Sequence, residues 1–413
     1  MKKILALLMA LVMVFGLVAC GAEPAPDAST DAPAQSDSSD SSGEKVLRIG
    51  GLVNQTGWFA VYDYNNILEM KTLANMYNAK GGIEIGGEKY MIEIVEADGQ
   101  SDFEGVRAAA QILVDEGVDY VIETNDFWVE GAIDLFENAG VMNIMTMNNM
   151  SFTTINKDLK YSFSFNNGSA ALYAAAIAVL VKDYPDVKSL VYCQSDDGLI
   201  DVNSALIASL CEEYGLEYID KPVVYDAEAT DFSAIALQVI SSGADAFFGA
   251  GDVSNVGAIM KEIRNNGSDM TIAGVLGTNA GMLRDAAGAD VSDNAFTLGS
   301  DLSNPANNTE IFNEIFNAFK AEYGEETAST WSGYAVNCMY MLLQLLQSAG
   351  TTDVEEVIAH YNTIDQLESL YGPGKISGTE TYGVNHIISH PNPSTKLVNG
   401  EVVYGGMYEC FVP

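Results

Sequence analysis

Beyond residue 45 the chain alternates two hydrophobic rhythms. Short apolar runs rich in β-branched residues read as strands, and stretches with apolar residues three and four apart read as helices. This predicts a strand over 46–53, a helix over 63–78 on Ile67, Leu68, Leu73 and Met76 stopping at Gly81-Gly82, and an alternating strand over 90–97. Ser101 or Asp102 is placed to cap a helix over 103–116 with Val106, Ala109, Ala110 and Leu113 on one face. Strand 119–123, helix 129–138 and strand 141–147 follow. The same grammar restarts at Ser169. Helices over 169–182, 202–214, 232–241 and 255–265 interleave with strands over 189–193, 218–224, 244–249 and 271–275.

Strands alternating with helices imply parallel sheets covered on both faces, the doubly wound α/β class. Two such runs, divided near Phe165, imply two lobes, and the roughly 370 residues after Lys45 exceed what one core holds. In open α/β sheets ligands sit beyond the carboxyl ends of the strands. With two lobes those ends can face each other across a cleft, so the loops just after each strand carry the candidate chemistry.

The first 45 residues obey a different rule. Lys2 and Lys3 precede an apolar run from Ile4 to Val18 that is short for a membrane span, which is the form of a secretory signal. Leu17-Val18-Ala19-Cys20 resembles the bacterial lipobox, and the resemblance implies a signal peptide over 1–19 with Cys20 as a lipidated first residue. Residues 21–45 contain no aromatic residue and no Val, Ile or Leu to bury, so 20–45 is expected to be a disordered linker. The expected location is extracytoplasmic, on the outer face of a cell membrane, held by the lipid alone.

Charge narrows the partners. Lys and Arg number 19 and Asp and Glu 57, a formal net charge of −38. Nucleic acid and anionic lipid both need basic patches, so both are excluded. Cys193, Cys211, Cys338 and Cys410 are too scattered to be a disulfide scaffold, and no pairing is assigned.

The stretches "LRIGGLVNQTGWFAVYDYNNILEMKTLANMYNAKGGI" and "VEADGQSDFEGVRAAAQILVDEGVDYVI" resemble the first half of the type I periplasmic binding proteins of ABC transporters. The leucine/isoleucine/valine-binding branch is the nearest match. "YDAEATDFSAIALQVISSGADAFFGAGDVSNVGAIMKEIRNNG" and "TWSGYAVNCMYMLLQLLQSAGTTDVEEVIAHY" continue the likeness in order over roughly 46–400. The resemblance implies two lobes joined by a three-crossover hinge, with 46–165 plus 280–380 in one and 166–279 plus 381–413 in the other. It implies a monomer that captures a small polar metabolite, an amino acid or something like one, by hinge closure. It would then dock on an ABC permease and its ATPase subunits without cofactor or chemistry.

Carried over residue by residue, Tyr62 takes the place of a ligand-contacting tyrosine, and Trp58 stands where a proline is usual. Asp126 and Phe127, followed by Trp128, replace a serine pair that holds the ligand carboxylate. Met147, Asn148 and Asn149 occupy the loop that usually supplies an alanine carbonyl and a threonine hydroxyl. Asp197 lies near a missing aromatic. Asn255 aligns with the glutamate that pairs with the ligand ammonium, with Asp252 in the same loop, and Asn279 is expected in a crossover beside the cleft. The loss of serines and glutamate departs from the α-amino-acid recognition set. Rings with carboxylates suit an aromatic or cationic nitrogenous metabolite instead. A second reading makes the closed receptor a co-receptor for a membrane sensor.

Catalytic signatures are poor. His386 and His390 in "HIISHP" have the i, i+4 spacing of zinc ligands, but the following proline argues against a helix, and a surface strand and turn is expected. His360 is expected to be solvated, and Asp231 is expected to cap a helix. "GAGDVSNVG" has Ser254 where a dinucleotide fingerprint needs its third glycine. No metal site and no enzymatic activity are expected.

Overall fold

The computed structural model describes residues 45–124, 128–146, 153–196, 200–274 and 278–409. The expected signal peptide, Cys20, the linker up to Glu44, and Cys410 lie outside them. The first run comprises β1 (Lys45–Val53), α1 (Ala60–Ala79), β2 (Ile83–Ile85), β3 (Glu88–Asp98), α2 (Phe103–Asp115), β4 (Tyr120–Glu123), α3 (Glu130–Ala139), β5 (Met142–Met145) and β6 (Ser162–Ser164). The second comprises α4 (Ser169–Asp183), β7 (Ser189–Ser195), α5 (Ile200–Tyr214), β8 (Glu217–Tyr218), β9 (Val223–Tyr225), α6 (Ser233–Ser241), β10 (Ala246–Ala250), α7 (Val253–Asn265), β11 (Thr271–Ala273), α8 (Ala280–Ala287) and β12 (Ala295–Leu298). Then come α9 (Glu310–Ala328), α10 (Tyr334–Ala349), α11 (Val354–Tyr361), β13 (Gln366–Ser369), β14 (Gly372–Ser377), α12 (Thr379–Tyr382), β15 (Ile387–Ser389), β16 (Asn392–Val398) and β17 (Glu401–Tyr408).

Two sheets result. The first runs β13-β14-β15-β6-β5-β4-β1-β3-β2, and the second runs β17-β16-β12-β11-β10-β7-β8 with β9 also paired to β7. Their middles are parallel, and antiparallel hairpins extend their edges. Period-two alternation delivers successive side chains to opposite faces. Tyr120 and Ile122 of β4 join one core and Val121 the other; on β10, Phe247 and Phe248 divide the same way. Each sheet is thus sealed by helices on both faces, the doubly wound arrangement the pattern predicts.

The chain passes between the sheets three times, over 165–168, 299–309 and 390–391. Sheet membership moves two expected boundaries. Ala280–Leu298 stays with the second sheet, because α8 and the buried β12 complete one more strand–helix–strand unit there. At the other end β15 pairs with β6, so the first lobe continues to Ser389. The expected strand over 218–224 is two short strands, since Pro222 has no N–H to continue the ladder. Asp102 is the cap of α2, accepting from the Gly105 amide at 2.7 Å. Asp231 accepts from Ser233 N at 2.9 Å, in keeping with a capping role. His386 and His390 are not on the surface: they are 8% and 1% exposed, the first just before β15 and the second at the third crossing. Among the described residues the cysteines Cys193, Cys211 and Cys338 are free and buried, and no helix is long and apolar enough to cross a membrane.

Candidate functional site

The strand ends of the first sheet are braced by carboxylates. Asp63, buried in the first turn of α1, accepts from Asn54 N at 2.7 Å, Asn54 Nδ2 at 3.0 Å, Thr124 Oγ1 at 2.7 Å and Asn66 Nδ2 at 3.0 Å. It thereby ties the loop after β1 to the loop after β4. Burial pushes its pKa up to about 6 against the pull of these hydrogen bonds. Asp98, at the end of β3, accepts from Gln55 N at 2.9 Å, Thr56 N at 3.2 Å and Thr56 Oγ1 at 2.6 Å. Burial works against its charge, yet the hydroxyl and amide donors together hold it below the ordinary carboxylate value. Ser101 Oγ donates to Thr56 O at 2.8 Å and accepts from Phe59 N at 3.1 Å. Gly57 has φ +86°, and a Cβ there would stand 2.6 Å from Gln100 O and from Ser101, so only glycine fits.

The loop so held carries aromatic rings. Trp58 packs edge-on to Phe59 at 5.3 Å and to Trp128 at 5.8 Å; Phe59 lies 6.1 Å from Trp128 and 5.6 Å from Tyr62. Trp58 is 63% exposed and Tyr62 39%. The structure therefore brings Trp58, Tyr62 and Trp128 together, and adds Phe59.

Other expected residues are dispersed. Asp252 caps α7, accepting from Ser254 N at 2.7 Å and from the Ser254 hydroxyl. Asn255 Nδ2 donates to Ala227 O at 2.9 Å, turning toward its own lobe. Asn279 is not in a crossover; it caps α8 through Met282 N at 3.2 Å and lines a cavity. Asp126, Phe127, Met147, Asn148, Asn149 and Asp197 lie outside the described residues.

That cavity lies where the chain crosses between lobes. It is narrow, about 30 Å³, room for a water or two in this structure. Trp331, Ser332, Tyr334 and Tyr371 line it from one lobe; Asn279, Leu298 and Asn392 line it from the other, with Ser300 and His390 on the crossings. Trp331 is 6% exposed, wedged against Phe312, Phe316 and Phe319, and its indole N–H has no partner.

The first and third crossings are clamped together beside it. Asn167 Nδ2 donates to His390 O at 2.7 Å while His390 N donates to Asn167 Oδ1 at 3.0 Å. The His390 ring stacks on Tyr371 at 5.1 Å, with Nε2 on Asn166 Oδ1 and Nδ1 3.2 Å from Asn167 Nδ2. A proton on Nε2 serves these two contacts, while the 2.9 Å approach of Nδ1 to the Pro391 carbonyl calls for one on Nδ1. Burial pulls its pKa down to about 4, against the Pro391 carbonyl, so the ring is neutral near pH 7. The cavity lining then carries no formal charge.

A family model described as periplasmic binding protein matches residues 46–395. The chain belongs to that family. Several solved structures share the fold of this periplasmic binding protein. The branched-chain amino acid transporter substrate binding protein LivJ from Streptococcus pneumoniae, in complex with isoleucine, is 19% identical with a TM-score of 0.69, covering 88% of this chain and 100% of that one. A leucine binding protein, LivK, from Thermotoga maritima is 18% identical at TM-score 0.69, covering 88% and 99%. A solute binding protein of an ABC transporter from R. palustris, in complex with benzoate, is 15% identical at TM-score 0.66, covering 89% and 98%. No curated relative matches by sequence.

The residues that sequence reasoning missed in this periplasmic binding protein are buried polar ones. Asp63, Asn66 and Glu69 recur every three residues on α1, inside the expected apolar face. That interruption of a hydrophobic stripe was the available signal. The lining residues Trp331, Ser332 and Tyr334 were visible only as part of "TWSGY".

Proposed function

We propose that the protein is the solute receptor of an ABC importer, anchored outside the cell membrane through Cys20 and acting as a monomer that closes its lobes on a planar nitrogenous solute, neutral or cationic. The closed form is the one the permease and its ATPase subunits read, and the solute drives closure because only then do both lobes touch it. The binding step needs no catalytic residue.

The ring cluster of Trp58, Phe59, Tyr62 and Trp128 at the strand ends carries the ligand reading. Ring faces favour planar partners and attract cations. Charge sharpens it: the segments 54–59, 124–129, 146–156, 195–199, 250–255, 274–279, 299–304 and 329–334 contain no Lys or Arg. An anionic aromatic acid, of the kind held by the benzoate and 4-hydroxybenzoate binders that share this fold, would find no cation there.

Thermal shift with benzamidine, benzamide, benzoate and isoleucine tests the reading with one ring in three charge states. A ligand at a hundredfold its Kd stabilises by about 2.7 kcal/mol, several degrees in Tm. Benzamidine or benzamide is expected to raise Tm and benzoate to fail. A shift with isoleucine alone returns the protein to the branched-chain class.

A further inference from the structure

The wall of the cavity formed by Trp331, Ser332 and Tyr334 is held from behind by one carboxyl. Glu69, fully buried on α1, offers its two oxygens to two successive backbone amides: Oε1 accepts from Ser332 N and Oε2 from Gly333 N, each at 2.9 Å. Ser332 Oγ lies 3.3 and 3.4 Å from the same oxygens and donates to Asn66 Oδ1 at 2.8 Å. Asn66 Oδ1 also takes the Ala335 amide at 3.1 Å, at the start of α10. Gly333 has φ +75°, and a Cβ there would meet Tyr371 Oη at 2.5 Å. The turn is thus a backbone nest closed on a side-chain carboxyl.

A buried carboxyl is a poor device for stability alone, since well-packed apolar residues usually do as well. A carboxyl does what no apolar side chain can: it fixes two neighbouring amides, and with them the direction of the side chains they carry. We propose that Glu69 is a positioning residue of the cleft, holding the Ser332-Gly333 turn so that Trp331, Ser332 and Tyr334 meet the solute in one geometry. The proposal rests on the reading of this cleft as the solute site.

Two variants of the full chain test it. Glu69→Gln keeps the volume but has one acceptor oxygen, so it holds one amide and turns an NH2 toward the other. Glu69→Asp keeps the carboxyl and withdraws it by one methylene, and it serves if the glutamine variant does not fold. Amide exchange at Ser332 and Gly333 is measured alongside the Kd of benzamidine and benzamide. Faster exchange at these two amides with affinity weakened about tenfold, the worth of one or two lost hydrogen bonds, is expected while unfolding stays cooperative. Unchanged affinity in a folded variant overturns the proposal, whether or not the turn has loosened. If neither compound binds the wild-type protein, the solute reading fails instead. Exchange then decides Glu69 on its own, and full protection of both amides in Glu69→Asp overturns its role.

Discussion

The two tryptophan-bearing regions of the proposed site are built on opposite plans. At the outer end, Trp58 is 63% exposed and stands on a loop whose backbone is fixed by Asp63, Asp98 and Ser101. At the crossings, Trp331 is 6% exposed and fixed by its ring, which sits among Phe312, Phe316 and Phe319. In the proposed reading both tryptophans meet the solute. One is a replaceable side chain on a rigid frame, and the other belongs to the frame. The contrast teaches that removing the two rings should separate binding from stability.

The largest effect is expected at the inner end. Trp331→Ala empties a fully packed aromatic site, and such truncations cost about 3–5 kcal/mol. Chemical denaturation would show it as a midpoint shift, and a loss below roughly 1 kcal/mol would mean that Trp331 is not part of the frame. Next is the brace of the outer loop. Asp63→Asn keeps one oxygen for the three donors on Oδ2 and turns an NH2 toward Asn66 Nδ2, leaving a buried donor unpaired at about 1–3 kcal/mol. Asp98→Asn, at a half-exposed site, is expected to cost less than Asp63→Asn. The reverse order would break the claim that the buried brace is the stronger one.

The third prediction concerns pH. Burial pushes Glu69 up to about 8, against its two amide donors and Ser332, and Asp63 up to about 6. A carboxyl whose folded pKa lies above its unfolded value stays protonated in the fold while the unfolded chain ionises. Stability is therefore lost as pH rises, from about 4.5 to 8 for Glu69 and from about 3.8 to 6 for Asp63. His386 and His390, both depressed to about 4 by burial, act in the opposite sense and lose stability as pH falls from 6.5 to 4. Of these four groups only Glu69 titrates between pH 6.5 and 8. Tm is expected to fall across that interval, and Glu69→Gln to flatten the limb. An equal slope in the variant would put the titration elsewhere.

Much of the architecture was legible because strands and helices alternate with clean periods. Phe247 and Phe248, adjacent in sequence and divided between two cores, are the two-sided burial that a continuous apolar strand predicts. Legibility failed where contacts are distant in sequence. β12 offered only four residues, and nothing local says that they pair with β11 and β16. The hinge histidines looked like surface residues because their partners, Ser162 and Asn166 to Asn167, are more than two hundred positions away. In the site, Trp58 and Trp128 meet because they follow the adjacent parallel strands β1 and β4. Glu69 was invisible because its reason for being acidic is the pair of amides at Ser332 and Gly333.

The smallest effect on stability is expected from Trp58→Ala, and it completes the contrast. The ring is largely in solvent, so its loss is expected to cost on the order of the 0.5–1.5 kcal/mol that an edge-on ring pair contributes, well below the cost at Trp331. The Gln55, Thr56 and Phe59 amides keep their bonds to Asp98 and Ser101, because none of these uses the indole. The unliganded Tm is therefore expected to fall far less than in Trp331→Ala, while the Tm increase given by benzamidine or benzamide shrinks or disappears. Trp128→Ala is a sterner case, since Trp128 is half-buried and packs against the core that contains Phe136. If Trp58→Ala keeps the full ligand-induced shift, the outer rings are only a rim, and recognition belongs to the hydroxyl and amide groups at the crossings.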